Sequence, residues 1–424
     1  MPVNVNITTP LVSIIIVNYN GKSFLPKLLR SIKKQSFDQY EVIIVDNNSR
    51  DKSLRVIKQE IKKLKFEDIF VIIASKRNVG FALANNQAAA IAKGEYLLFL
   101  NNDTTLHEEA IKKMVQAIQK DRFCAGVAPK IYLSRYLPTL IFDSLGICID
   151  KMGSPYNRGI GQIDLGQYDQ VEEVMGLCYA CCLVRKDIYR TTGGLDNTYF
   201  AYFEDVDWSF RTRKSGYIFL SCPKAIVYHY HSGTTSARSY AWKYFLIFRN
   251  YLRTATKTFG KRNSLRIITR KLRDIVTTII IPGESRHMRL AMIKVLANYL
   301  FIDWWIYAFK RLMTRRHFID EIDDCEIFAF GLNEPSNFFN PKTYKPNLGM
   351  PMLDFIVMRK NWVKPSQAMI RKWNSLKGSY YCSQETNLWN KQFSRFLDTY
   401  FSPYQMDNLS AIKTFTKISR SGSG

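Results

Sequence analysis

The sequence predicts an α/β fold: a mostly parallel sheet between helices, followed by a basic, mainly helical C-terminal region. Three observations carry that expectation. Short β-branched apolar runs alternate with segments of helical period through the first part of the chain. Polar clusters stand at the carboxyl ends of those runs. Near residue 240 the texture changes to long stretches that mix Lys and Arg with aromatics.

The alternation starts with Val12 to Val17, a continuous apolar run that ends in Asn18-Tyr19-Asn20. Lys22 to Gln35 follows, with Phe24, Leu25, Leu28, Leu29 and Ile32 at helical spacing. Strands are then predicted over Val42 to Val45, Ile69 to Ala74 and Tyr96 to Leu100. Helices are predicted over Ser53 to Leu64, Ala82 to Ala92 and Glu108 to Gln119. Strands apolar on both faces belong to a parallel sheet covered on both sides. Ligands of such sheets bind beyond the carboxyl ends of the strands, where Asn18–Asn20, Asp46–Ser49 and Asn101–Asp103 fall. From 124 to 235 the pattern loosens into shorter strands, and Gly153 to Gly166 reads as an irregular loop over the site.

A chain of 424 residues, 46% apolar and 14% aromatic, holds more than one ordinary domain and is not disordered. We expect a catalytic domain over 1–238, a basic aromatic helical region over 239–317, and an extension over 318–424 in which no chemistry is legible. The net charge is +25, and 241–317 holds seventeen Lys or Arg against three acids, a net +14. Such a segment seeks an anionic partner. No helix-turn-helix, zinc-finger or aromatic-sheet signature points to nucleic acid, so an anionic membrane surface is the expected partner, with an ordinary helical domain packed on the catalytic one as the alternative. Cys178, Cys181 and Cys182 lie in an apolar stretch without zinc spacing and read as buried free thiols. The opening MPVNVNITTP lacks the charged and apolar regions of a secretory leader. The longest apolar run, Val295 to Phe309, falls short of the ~18 residues of a membrane span and carries Asp303. These features predict a cytoplasmic protein, peripheral on the inner face of the cell membrane.

Four polar elements can carry chemistry. Asn101-Asn102-Asp103 follows an apolar strand, and its carboxylate suits a hard divalent ion on a diphosphate, although a turn or helix cap would use the same residues. Asp46, with Asn47, Asn48 and Ser49, can accept hydrogen bonds from a base or ribose or can begin a turn. In Tyr199 to Trp208, Glu204, Asp205 and Asp207 sit among aromatics at a helix start. Capping explains acids there, and desolvation would make one of them a stronger general base. Val227-Tyr228-His229-Tyr230-His231 puts two histidines on one side of an extended segment, able to ligate a metal beside a carboxylate. No G-x-G-x-x-G or phosphate-loop motif is present, which argues against a dinucleotide enzyme or a phosphate-loop NTPase.

In order along the chain these elements closely resemble the inverting family 2 glycosyltransferases, which have the GT-A nucleotide-diphospho-sugar transferase fold. The nearest-looking branch is the rhamnosyltransferase-like one. The resemblance spans Leu11 to Thr235. It rests on Val12-Ser13-Ile14-Ile15-Ile16-Val17-Asn18-Tyr19-Asn20, Val45-Asp46-Asn47-Asn48-Ser49, Asn78-Val79-Gly80-Phe81-Ala82 with Asn86, and Leu100-Asn101-Asn102-Asp103. Gly193-Gly194-Leu195-Asp196, Phe203-Glu204-Asp205-Val206-Asp207 and His229 complete the series.

The resemblance implies roles for these positions. Asn18, Tyr19, Asn20, Asp46, Asn48, Asn78, Asn86, Asn101 and Asn102 would hold the nucleotide-sugar donor, a dTDP- or UDP-sugar. Asp103 and His229 would hold Mg²⁺ or Mn²⁺. Asp205, paired with Glu204, would be the general base that activates a hydroxyl of a glycan or lipid-linked glycan. The transferred sugar would be rhamnose, in cell-surface polysaccharide synthesis. One departure stands out: Asn101 occupies the first acidic position of the family's metal motif, leaving Asp103 alone. A non-catalytic nucleotide-sugar-binding scaffold subunit on the same fold is the alternative that this departure raises.

Overall fold

The computed structural model describes residues 10–315, apart from 138–139, 151–152, 163, 165, 167, 232–239 and 281–284, together with Asp324. Residues 1–9 and nearly all of the extension over 318–424 lie outside the described residues. The chain divides into two compact units, Met1–Tyr132 with Phe142–Ile160 and Tyr168–Glu334, and Leu133–Ile141 with Gly161–Gln167 and Pro335–Gly424. The sheet edge that carries the polar clusters belongs to the first unit.

The alternating half folds as its period predicts. Strands β1 (Val12–Asn18), β2 (Tyr40–Asp46), β3 (Phe70–Ala74) and β4 (Tyr96–Asn101) alternate with helices α1 (Leu25–Lys33), α2 (Ser53–Lys63) and α3 (Phe81–Ile91). Next come β5 (Thr104–Leu106), α4 (Ala110–Ile118), β6 (Cys124–Leu133), β7 (Phe142–Ser144), β8 (Ile147–Ile149), β9 (Pro155–Asn157) and β10 (Glu173–Val174). Then β11 (Cys181–Arg185) leads through α5 (Lys186–Thr191) and α6 (Glu204–Lys214) to β12 (Ile218–His229). Neighbouring residues of β1 go to opposite cores, as a strand of period two requires. Val12, Ile14 and Ile16 pack with α1, α2 and α4, while Ile15 and Val17 pack with α3.

The sheet is mixed. Its order is β10-β12-β6-β11-β4-β1-β2-β3, with β5 on β12 and β7 on β6. Strands β4, β1, β2 and β3 pair in parallel. Strand β11 runs antiparallel to β4 and β6, and β5 and β10 run antiparallel to β12. The parallel part is confined to the region where a helix separates successive strands, the connection that parallel pairing needs. The stretch read as irregular, 153–166, opens with β9, which forms a hairpin with β8.

Beyond the sheet the chain is helical: α7 (Tyr240–Thr258), α8 (Lys261–Ile280), α9 (Arg286–Asn298), a π-helical turn (Tyr299–Asp303) and α10 (Trp304–Arg315). Their core is continuous with α6. Val206 and Phe210 share a buried cluster with Phe245, Leu252 and Ala255 of α7 and Met292 and Val295 of α9.

Candidate active site

The parallel register brings the polar strand ends into line, with Asn18 opposite Asp46 and Val17 opposite Asn101. Asn18 is fully buried and ties three ends together. Its Nδ2 donates to Asp46 Oδ1 at 2.8 Å and to Ser49 Oγ at 3.0 Å, and its Oδ1 accepts from Asn102 Nδ2 at 2.8 Å. Asn18 and Asn102 therefore brace the edge from within. Asn20 and Asn48 adopt left-handed backbone angles, φ 54° and 64°, which Asn tolerates better than other side chains. Asn20 accepts from the Arg50 N–H, and its own N–H donates to Ser49 Oγ, so the two strand-end loops are joined. Half-buried Tyr19 and Asn101 and exposed Asn48 make no side-chain hydrogen bond within the described residues.

Asn78 and Asn47 anchor the loop before α3. Asn78 Oδ1 accepts from Asn47 Nδ2 at 3.0 Å and from the Gly80 N–H at 2.9 Å, and Asn47 Oδ1 accepts from the Val79 N–H. Gly80 sits at φ 89°, and a Cβ there would lie 2.6 Å from the Phe200 carbonyl oxygen, so only glycine fits. Asn86 stands apart from the strand ends. Its Nδ2 donates to the Leu195 carbonyl and to Asn197 Oδ1, and its Oδ1 accepts from Tyr189 Oη and the Leu195 N–H. Both ends of this amide are engaged within the fold, so Asn86 clamps α3 to the loop after Gly194.

Asp103 and His229 meet because β5 pairs with the end of β12, placing His229 opposite Thr104. His229 Nε2 lies 3.0 Å from Asp103 Oδ1. Its Nδ1 lies 2.6 Å from Oδ2 of Asp143, whose Oδ1 is 2.7 Å from His231 Nδ1. Ligand atoms of Asp143, His229 and His231 all fall within 4.8 Å of one another. Burial disfavours a charged imidazole, yet Asp103 and Asp143 outweigh it and push His229 up to about 10. Burial would likewise raise Asp143, but the two histidines hold its carboxyl far below the ordinary carboxylate range. The sequence reading missed Asp143. Its signal was a carboxylate inside an apolar run, Ile141 to Ile149, where an acid is retained only with partners.

The carboxylates of α6 divide by environment. Asp207 is fully buried and engaged by Arg211 Nε at 2.9 Å, Lys257 Nζ at 2.6 Å and Tyr199 Oη at 3.2 Å, which makes it structural. Glu204 is buried, and its Oε2 has no hydrogen-bond partner among the described residues. Burial first, then the neighbouring Asp205 charge, pushes its carboxyl well above the usual range. Burial raises Asp205 to about 6, against hydrogen bonds from the Val206 N–H at 2.8 Å and the Tyr179 N–H at 3.5 Å. Burial thus raises both carboxyls of the adjacent pair, Asp205 to about 6. Burial first, then the charges of Asp205 and Asp143, pushes the Cys178 thiol well above its ordinary range.

The turn that presents this pair is strained. Phe200, Tyr202 and Phe203 have φ 64°, 68° and 71°, a conformation costing roughly 1–3 kcal/mol each for non-glycine residues. It is held from two sides. The Phe81 N–H donates to the Phe200 carbonyl at 2.5 Å, while Asn250 Nδ2 of α7 faces the carbonyls of Tyr199, Ala201 and Tyr202 at 2.7–3.0 Å. Asn250 is fully buried and was not anticipated, because it lies in a segment whose composition reads as surface.

Residues 13–193 match the family described as Glycosyl transferase family 2. A protein of Haemophilus influenzae named "Uncharacterized glycosyltransferase" is 26% identical over 233 residues, which is 54% of this chain and 68% of that protein. The "Poly(ribitol-phosphate) beta-glucosyltransferase" of Bacillus spizizenii is 36% identical over 102 residues, 24% of this chain and only 16% of that one. Among solved structures, one titled "Crystal structure of GalNAc-T7 with UDP, GalNAc and Mn2+" superposes with a TM-score of 0.50 at 16% identity, covering 73% of this chain and 58% of that one. That likeness is one of fold, and the mixed sheet with its helices is GT-A-like.

Proposed function

We propose that this chain, with a glycosyl transferase family 2 domain over 13–193, moves a sugar from a nucleotide-diphosphate donor to a hydroxyl of a glycan or lipid-linked glycan, by single displacement with inversion. The observation that carries the reading is the Glu204–Asp205 pair. Burial raises both carboxyls, Asp205 to about 6, on a strained turn that opens α6. Asp205 accepts the proton of the acceptor hydroxyl as that oxygen attacks the anomeric carbon.

Tyr19, Asn48 and Asn101 offer the donor polar groups not otherwise engaged among the described residues, and Asp46 offers its remaining lone pairs to ribose or base. Asp143, His229 and His231, one carboxylate and two imidazoles with ligand atoms within 4.8 Å of one another, would fit a divalent ion such as Mn²⁺ or Mg²⁺, while Asp103 meets the other ring nitrogen of His229. Such an ion stabilises the charge of a departing diphosphate. Asp143 and His231 make up for the acid that Asn101 replaces, which weakens the scaffold-subunit alternative. The order of motifs makes dTDP-rhamnose the first donor to test and UDP-sugars the next. The polymer in the name of the Bacillus spizizenii relative supports a role in polysaccharide synthesis.

The test is a thermal shift with dTDP and UDP, each with and without Mn²⁺. The reading predicts stabilisation by one nucleotide that grows with the metal. No shift with either nucleotide under any metal condition would refute it.

A further inference from the structure

Residues Arg286 to Arg315 run as one helix through the π-helical turn. One face is buried on α7 and α8: Met288, Met292, Val295, Tyr299, Asp303 and Tyr307 recur at a spacing near four. The opposite face of a helix that ends in water would carry charged and polar side chains. Here it carries Leu290 (45% exposed), Ile293 (47%), Phe301 (80%), Trp305 (70%) and Phe309 (63%), in a stripe along the helix. An exposed apolar stripe of this kind marks a surface that another phase or partner covers.

The surrounding charge selects the partner. The segment 241–317 has a net +14 from seventeen Lys or Arg and three acids. Asp303 is buried against Arg253, and Asp274 lies 3.5 Å from Lys271, so neither offsets the excess near the stripe. Arg286 and Lys294 are exposed on α9 itself. Aromatics flanked by cations match the headgroup level of an anionic bilayer.

By length and composition alone the 24 residues Arg286–Phe309 could cross a membrane, although no single apolar run in the sequence is that long. Packing argues for a different placement. Arg253 binds both oxygens of Asp303, at 2.7 and 2.9 Å, and its Nη1 donates to the Thr198 carbonyl, while Tyr307 Oη hydrogen-bonds Thr198 Oγ1. A spanning helix would have to leave these partners and carry Asp303 into hydrocarbon. We propose that the stripe from Leu290 to Phe309 docks this chain on an anionic lipid bilayer, with the helix lying in the interface and Phe301, Trp305 and Phe309 inserted among the headgroups. The proposal stands independently of the sugar-transfer reading.

The test is flotation of the full-length chain with vesicles of phosphatidylcholine alone or mixed with phosphatidylglycerol. The wild-type chain is expected to float with the anionic vesicles, to stay behind with the neutral ones, and to be released by high salt. Phe301→Ser/Trp305→Ser/Phe309→Ser should weaken anionic-vesicle binding about tenfold or more with an unchanged circular dichroism spectrum. Arg286→Glu/Lys294→Glu, which leaves the apolar stripe intact, should weaken binding and flatten its salt dependence. Failure of the wild-type chain to float, or a triple variant that floats equally well, would overturn the proposal. A dimeric wild-type chain that does not float, with a monomeric triple variant, would overturn it in favour of a second copy. A monomeric chain that does not float would overturn it in favour of cover by residues 335–424.

Discussion

At the scale of single residues, the proposed chemistry rests on Asp205 and Asp143, and they differ in how far the sequence showed them. Asp205 was legible because acids among aromatics at a helix start suggest a desolvated carboxylate. Asp143 was not, since its partners His229 and His231 come more than eighty residues later and meet it only through strand pairing. The raised carboxyl of Asp205 fixes the sign of one pH effect. A base is active when deprotonated, so turnover should fall as pH drops below about 6, roughly tenfold per unit, and level off above it. A pH–rate profile measured at saturating donor checks this, and a profile flat down to pH about 4 would exclude Asp205 as the base. For Asp143, the prediction concerns the metal. Asp143→Asn should weaken Mn²⁺ binding about 10–100-fold, read by titration calorimetry or electron paramagnetic resonance, with the fold retained.

At the scale of elements, local sequence specified the strands and helices but not the supports of the site. The ends of β1, β2 and β4 could be read from apolar runs that stop at Asn or Asp. Both ends of the Asn86 amide are taken by Leu195, Asn197 and Tyr189, contacts that only tertiary structure supplies. Asn250 is the reverse case, a polar residue in a basic helix that holds the strained 200–203 turn. Asn250→Ala leaves those carbonyls without their donor and should cost about 1–3 kcal/mol of stability. Because the turn presents Asp205, turnover should fall while the KM for donor changes little. Calorimetry and steady-state kinetics read the two effects separately. A drop in stability with unchanged turnover would confine Asn250 to the fold.

At the scale of the molecule, the C-terminal helices and the GT-A-like sheet are joined through α6 and α7. Lys257 of α7 bridges Asp196 and Asp207 with 3.0 and 2.6 Å contacts, and Arg253 bonds the Thr198 carbonyl just ahead of the strained turn. Composition marked a change of texture near residue 240, but it could not show that the basic helices buttress the acids of α6, because burial depends on a partner surface from another part of the chain. The same helices present the stripe proposed to meet lipid, so in that proposal one bundle both supports the site and docks the chain. The central claim, that Asp205 is the base of a sugar transfer, is tested most directly by turnover of nucleotide sugars, including slow donor hydrolysis, by the wild-type chain and Asp205→Asn with Mn²⁺ present. The account predicts that the wild-type chain consumes one donor and that the variant loses about 10²–10⁴-fold in rate while still binding it. Unchanged turnover in Asp205→Asn, or no donor consumed by the wild-type chain, would contradict it.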